Sequence, residues 1–195
     1  MPKDTEVTLL AITSTAADAS VAYSSVDVLP YIAGDVRVRM GRGTGTVFTV
    51  APKIRIQKTY ATSPTANQWV DALVYTCQLG VATIGSTAVS GTEAAGQTVI
   101  SLTSGTNFTA GDYIFFHNTT IGNSEWSWIV SKATNDITVQ EAIVNAQTGA
   151  TCRNQAEQFN DAIDLKGVQK LRVVVDGAGS GQAVIVEVGM GAFRL

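Results

Sequence analysis

His117 is the single histidine of this 195-residue chain and the only side chain whose ordinary pKa lies close to neutrality. It closes the apolar run Tyr113-Ile114-Phe115-Phe116 and precedes Asn118-Thr119-Thr120. Many serines and 16 acidic residues could complete a Ser-His-Asp set in space, but no Gly-x-Ser-x-Gly elbow aims a nucleophile at it. A strand-end histidine making an ordinary hydrogen bond is the better reading, and no catalytic residue is assigned. Gly41-Arg42-Gly43-Thr44-Gly45-Thr46 has the glycine density of a phosphate loop, yet a strand-like run, Val47-Phe48-Thr49-Val50, follows it. A phosphate loop needs a helix N-terminus there and a Gly-Lys-Ser/Thr, so this segment reads as a hairpin connection.

Metal chemistry is equally poorly provided for. Cys77 and Cys152 cannot assemble the four ligands of a zinc site with one histidine. Three readings of the pair stay open: two buried thiols, a clasp joining Cys77 to Cys152, or a bridge to a neighbouring subunit formed once the surroundings oxidise. Glu157, Asn160, Asp161 and Asp164 offer oxygens but lack the alternating spacing and central glycine of a calcium loop. No metal and no cofactor is assigned.

Two groups suit binding instead. Arg37, Arg39, Arg42, Lys53, Arg55 and Lys58 are expected on two adjacent strands and their turn, as a basic stripe for docking on a partner. The net charge of -3 and the lack of interleaved aromatics disfavour nucleic acid, which needs clustered cations to neutralise phosphates. Trp126 and Trp128 are two apart, so on a strand they share a face. They are expected chiefly in a core, with an outer binding face as the alternative.

The elements that carry these residues have a period of two, the signature of strands. Val36-Arg37-Val38-Arg39-Met40 and Ile54-Arg55-Ile56-Gln57 show it. Residues 68–77, 98–102, 113–117, 125–130, 136–139, 170–175 and 182–188 are further strands, the last two forming a hairpin around Gly177 and Gly179. Residues 155–165 hold no sustained 3.6 period and read as a loop. Between Val81 and Ala150 the only basic residue is Lys132, against Glu93, Asp112, Glu125, Asp136 and Glu141. That shift marks residues 81–150 as a small inserted β domain, a barrel or sandwich, within a parent domain of residues 1–80 and 151–195. Charged residues make up 15%, below the ~25% usual in soluble domains, but no run of ~18 apolar residues suggests a membrane span. The opening Met1-Pro2-Lys3-Asp4-Thr5-Glu6 lacks the basic head and apolar stretch of a secretory signal, so synthesis in the cytosol is expected.

Ala95-Gly96-Gln97-Thr98-Val99-Ile100-Ser101-Leu102, followed by Asn107-Phe108-Thr109-Ala110-Gly111-Asp112-Tyr113-Ile114-Phe115, resembles a β module of tailed-bacteriophage virion proteins, in which a short strand, a Gly-Asp turn and an aromatic strand recur. The stretch from Ile163 to Asp176, with Gly179-Ser180-Gly181-Gln182-Ala183-Val184, is similar to the closing hairpin of phage β-sandwich proteins such as capsid decoration and neck or collar proteins. The resemblance implies an all-β, jelly-roll-like or immunoglobulin-like sandwich, multimeric, with an inserted outer β domain and no active site. The expected function is therefore a non-enzymatic virion protein, made in the host cytoplasm, which decorates the capsid as a homo-oligomer docked on the major capsid protein or other virion proteins. An N-terminal arm, Met1 to Thr8, would reach a neighbour. A neck, collar or tail component is the alternative in the same class, and a carbohydrate-binding or adhesive module using Trp126 and Trp128 the alternative in another.

Overall fold

The computed structural model describes residues 5–15, 20–43, 48, 50–77, 85–154, 156–177, 179 and 183–193. The described chain is built from strands: β1 Thr5–Thr15, β2 Ser20–Ala22, β3 Val26–Asp27, β4 Ala33–Arg42, β5 Lys53–Thr59 and β6 Val70–Thr76. They are followed by β7 Ser86–Ala88, β8 Val99–Ser101, β9 Tyr113–His117, β10 Glu125–Ala133, β11 Asp136–Val139 and β12 Thr151–Arg153. β13 Ala156–Asp164, β14 Lys170–Asp176 and β15 Val184–Phe193 close the chain. The only helical elements among the described residues are single 3-10 turns at Ala66–Gln68 and Ile121–Asn123. The all-β class read from the period of two is what the structure shows.

The chain packs as two compact units, Met1–Met40 with Phe48–Gln78 and Gln158–Leu195, and Gly41–Val47 with Leu79–Glu157. The sequence placed the divisions after residues 80 and 150. In the structure they fall after residues 78 and 157, and Gly41–Val47 packs with the second unit.

The first unit holds a four-stranded sheet, β1-β15-β4-β13, and a second sheet ordered β2-β14-β5-β6, with β3 also paired to β14. With β2 and β3 counted as one interrupted strand, the eight strands of this unit pair first with eighth, second with seventh, third with sixth and fourth with fifth. That nested ladder, wrapped so that the eighth strand meets the third and the seventh meets the fourth, is the jelly roll. The immunoglobulin alternative requires a different strand order. Alternation builds the core: Val36, Val38 and Met40 of β4, Ile54 and Ile56 of β5, Leu171, Val173 and Val175 of β14, and Val186, Val188 and Met190 of β15 are all buried. Each such side chain, removed from water, stabilises the fold by roughly 1.5–3 kcal/mol.

Four local expectations are corrected by the structure. β14 and β15 do not form a hairpin, because they lie in different sheets. Likewise β4 pairs within the four-stranded sheet and β5 within the other, and Gly41 and Arg42 belong to β4 itself. Residues 44–47 of the expected hairpin connection lie outside the described residues. In a wrapped ladder, successive strands other than the innermost pair, here β5 and β6, cross between the two sheets. Residues 156–164 are a strand, not a loop. Asp161 interrupts the alternation of Phe159 and Ile163, which hides the period. Finally, Thr5–Thr8 are no free arm; they begin β1, with Thr5 opposite Ala192 and Thr8 opposite Gly189. Residues 1–4 lie outside the described residues.

The second unit is a six-stranded sheet, β7-β12-β9-β10-β11-β8. A bridge between Val89 and Leu102 joins its two ends, with backbone bonds from Ser90 N to the Ser101 carbonyl at 2.8 Å and from Thr103 N to the Ala88 carbonyl at 2.9 Å. The sheet thus curls into a small barrel around Ile100, Phe108, Ile114, Phe116, Ile129, Ile137 and Cys152. Gly105, in the connection between β8 and β9, is closely packed: a Cβ there would run into the Thr134 carbonyl oxygen, in the turn between β10 and β11. Gly191, on the outer face of β15, would place a Cβ in open space. Gly105→Ala is therefore expected to destabilise by about 1–3 kcal/mol through overpacking, and Gly191→Ala to stabilise by about 0.5 kcal/mol through the unfolded state. Urea midpoints moving in opposite directions would bear this out.

Candidate functional site

On β9 the side chains of Ile114 and Phe116 point into the barrel, so Tyr113, Phe115 and His117 line its outside. β10 runs antiparallel beside it, with Trp126 opposite Phe115 and Trp128 opposite Tyr113. The result is a continuous aromatic ladder. Trp128 meets Tyr113 at 4.7 Å between ring centroids, Tyr113 stacks on Trp126 at 6.0 Å, Trp126 meets Phe115 at 4.2 Å, and Phe115 stacks on His117 at 5.8 Å. The tryptophans are thus on the outer wall, not in the core, because Ser127 and Ile129 take the inward positions. They are not equally accessible. Trp128 is 42% exposed, whereas the Trp126 indole nitrogen is buried without a hydrogen-bond partner among the described residues.

The ladder ends on a buried cation. Arg153 of β12 brings Nη1 to 2.9 Å from His117 Nδ1 and donates from the same nitrogen to the carbonyls of Arg42 at 3.3 Å and Gly43 at 3.0 Å. A guanidinium has no acceptor, so His117 Nδ1 accepts, and the ring is the neutral tautomer with its proton on Nε2. Burial, and then the charge of Arg153, hold the His117 pKa below its ordinary value. Burial also lowers that of Arg153. The arrangement is a clamp holding Arg42 and Gly43 onto the barrel unit. It gives the chain's only imidazole a structural hydrogen bond, as the sequence suggested, and Arg153 is the partner that sequence reasoning missed. No spacing rule links residues 36 positions apart.

The six cations expected to form a docking stripe are not on adjacent strands. Arg37 and Arg39 lie in the four-stranded sheet, where Arg37 Nη2 is 3.5 Å from Glu6 and Arg39 Nη1 is 3.1 Å from Glu187. Arg42 is fully buried. Arg55, in the other sheet, makes two bonds of 2.9 Å to Asp176 and lies 3.7 Å from Asp71. Burial raises the Asp176 pKa, but hydrogen bonds from Arg55 and Ser20 outweigh it, so the carboxyl titrates below its ordinary value. Lys58 sits over the Tyr60 ring at 5.8 Å, and Lys53 is exposed. Charge on these sheets is therefore satisfied mostly within each sheet. Cys77 and Cys152 are both buried. Cys152 is in the barrel core, where burial pushes its pKa far above the thiol range, so the reactive thiolate is suppressed. Among the described residues, no group of acidic, histidine and cysteine side chains is placed to hold a metal, and no helix is long and apolar enough to cross a membrane.

No protein-family model matches the chain, and no curated protein matches it. Among solved structures, VP17, a capsid protein of bacteriophage P23-77, is similar over 98% of this chain and 96% of that chain, at 9% identity and a TM-score of 0.21. At that level of likeness the fold assignment rests on the strand order, not on the neighbour.

Two outcomes follow from the buried groups. Because folding lowers the His117 pKa, the unfolded chain binds more protons as pH falls through about 6.5, so His117 withdraws stability below that pH and contributes none of this loss above it. His117→Gln keeps an acceptor that does not titrate. Its urea midpoint is expected to fall less than that of the wild type between pH 7.5 and 5; equal slopes would disprove the assignment. Second, a thiol reagent applied to the native chain is expected to find no fast-reacting cysteine, and after full denaturation to find both.

Proposed function

We propose that this chain is a non-enzymatic structural protein of a bacteriophage virion, a decoration or cement protein that docks on the major capsid protein as a homo-oligomer. The jelly-roll order of the first unit carries the reading, since that architecture serves viral capsid and lectin domains, although a fold alone hosts many functions. The distribution of surface chemistry adds support. Arg37, Arg39, Arg55 and His117 are engaged in bonds within the chain, while large apolar side chains stand exposed: Leu29, Val50, Tyr60, Val70 and Val74 on the first unit, and Val99, Trp128, Val130 and Val144 on the second.

Docking in this reading is led by apolar contact at the centre of the interface, with Lys53 and Lys58 steering encounter and register from its rim. Several weak contacts around a homo-oligomer then gain strength through effective concentration. The adhesive alternative keeps one favourable observation, the exposed Trp128 ring beside Tyr113, which has the flat apolar face that sugars stack on.

Mass spectrometry of purified particles, separated into heads and tails, tests the proposal. The chain is expected in the head fraction, and the purified chain is expected to co-sediment with shells of the major capsid protein encoded alongside it. Recovery with tails only would move it to the neck or tail class, and absence from particles would overturn the virion reading. Glycan binding abolished by Trp128→Ala would establish the adhesive one.

A further inference from the structure

We propose that the outer face of the four-stranded sheet carries a binding groove for a basic side chain, the guanidinium of an arginine or the ammonium of a lysine presented by a partner protein. This goes beyond the capsid reading and does not rest on it, because it concerns the chemistry of the isolated chain.

The groove begins with an alternation that leaves one face without side chains. In β15, Val186, Val188 and Met190 are buried, so Glu187, Gly189 and Gly191 point outward. Glycine inside a strand weakens it, and it is retained for a bulge, a positive φ or the close approach of another group. The first two do not apply. β1 pairs with this stretch in unbroken register, Glu6 opposite Gly191 and Thr8 opposite Gly189, and neither glycine is among the described residues with positive φ. Packing does not demand glycine either. A Cβ on Gly191 would meet nothing within 4 Å, and one on Gly189 would stand 3.8 Å from Arg37 Nη2, an ordinary contact. What the two glycines provide is space.

That space is a groove of about 320 Å³ to which all four strands contribute: Glu6 from β1, Gly189 and Gly191 from β15, Asp35 and Arg37 from β4, and Asn160 from β13. Its size is at the low end of the range for ligand sites, roughly 300–1,000 Å³, which suits one side chain better than a large cofactor.

Charge selects the occupant. The walls carry two carboxylates, Glu6 and Asp35, against one guanidinium, and Arg37 already leans to Glu6 at 3.5 Å. The next outward residue of β15, Glu187, is taken by Arg39 at 3.1 Å. Asp35 and Asn160 are exposed and make no side-chain bond among the described residues. A second cation completes the set: its charge faces Asp35, its N–H groups donate to the Asn160 side-chain oxygen, and its methylene stem lies on a floor of bare backbone. An anion would instead face both carboxylates. A divalent metal is the poorer fit, since no three acidic, histidine or cysteine side chains are placed together to hold one among the described residues.

Titration of the isolated chain with short capped peptides, followed by nuclear magnetic resonance, tests the groove. With acetyl-Gly-Arg-Gly-amide or acetyl-Gly-Lys-Gly-amide, the backbone amides of Gly189 and Gly191 are expected to shift and to saturate with a constant on the order of 1 mM. Acetyl-Gly-Glu-Gly-amide is expected to leave them in place. Asp35→Asn removes a wall charge and should weaken binding about fivefold, the upper range for an exposed ion pair. Gly191→Val, whose first added atom enters open space, should abolish saturation by filling the floor. Because Asp35 is an exposed side chain, its variant carries the test even where the valine variant folds poorly. Shifts that rise without saturating up to about 20 mM, twenty times the expected constant, overturn the proposal. So do equal shifts from the glutamate peptide, or an unchanged constant in either variant. Any of these, with the chain still recovered on particles, removes the groove and leaves the virion reading standing.

Discussion

The ladder between β1 and β15 is the constraint on which the first unit depends. It runs from Thr5 opposite Ala192 to Thr15 opposite Val184, holding the two ends of the described chain together as the outermost pair of the nested ladder. β2 on β14, β4 beside β13 and β5 on β6 nest within it. Every one of these contacts is paid for in loop-closure entropy, so the rewards are burial and long backbone ladders, with little local propensity to help. A topology of this kind is expected to fold slowly relative to helical chains of similar length.

Inside that frame, polar groups are matched to partners on neighbouring strands of the same unit. Arg55 shows the principle: it sits on β5 between Asp176 of β14 and Asp71 of β6, so one cation ties three strands across the sheet surface. Arg172 donates to Gln57 at 2.8 Å and lies 4.3 Å from the Trp69 ring, extending the same network. In the barrel unit the loops are fastened by carboxylates. Glu125 accepts from the Val144 and Asn145 backbone, and Asp112 accepts from Thr109 N and Asn154 Nδ2. These bonds use side chains that would otherwise have been available for binding or chemistry. The same economy explains why His117, read from the sequence as a strand-end residue, works as an acceptor for Arg153.

The strands were legible wherever one face is apolar and the other polar. Val36 to Met40, Ile54 to Gln57 and Tyr113 to His117 announce themselves because burial on one face forces alternation. β13 did not, since Asp161 occupies a position between Phe159 and Ile163, and Phe159 finds its apolar contact 5.2 Å away in Tyr75 of β6. β1 was misread because its two register shifts break the period that would have revealed it. The tryptophans were correctly placed on one shared face, but which face was invisible: the choice depends on Ser127 and Ile129 fitting the barrel interior better than two indoles would.

By itself, then, the sequence determined the all-β class, most strand positions, and the shortage of groups able to do chemistry, because strand period and residue inventory are local properties. Pairing is not local. Only the tertiary structure decided that β4 and β5, or β14 and β15, belong to opposite sheets, and that the expected basic stripe is divided between them. It also decided that Arg153 meets His117. Each of these follows from which strand lies beside which, and a strand's flanking residues carry no record of that neighbour until the whole ladder has closed.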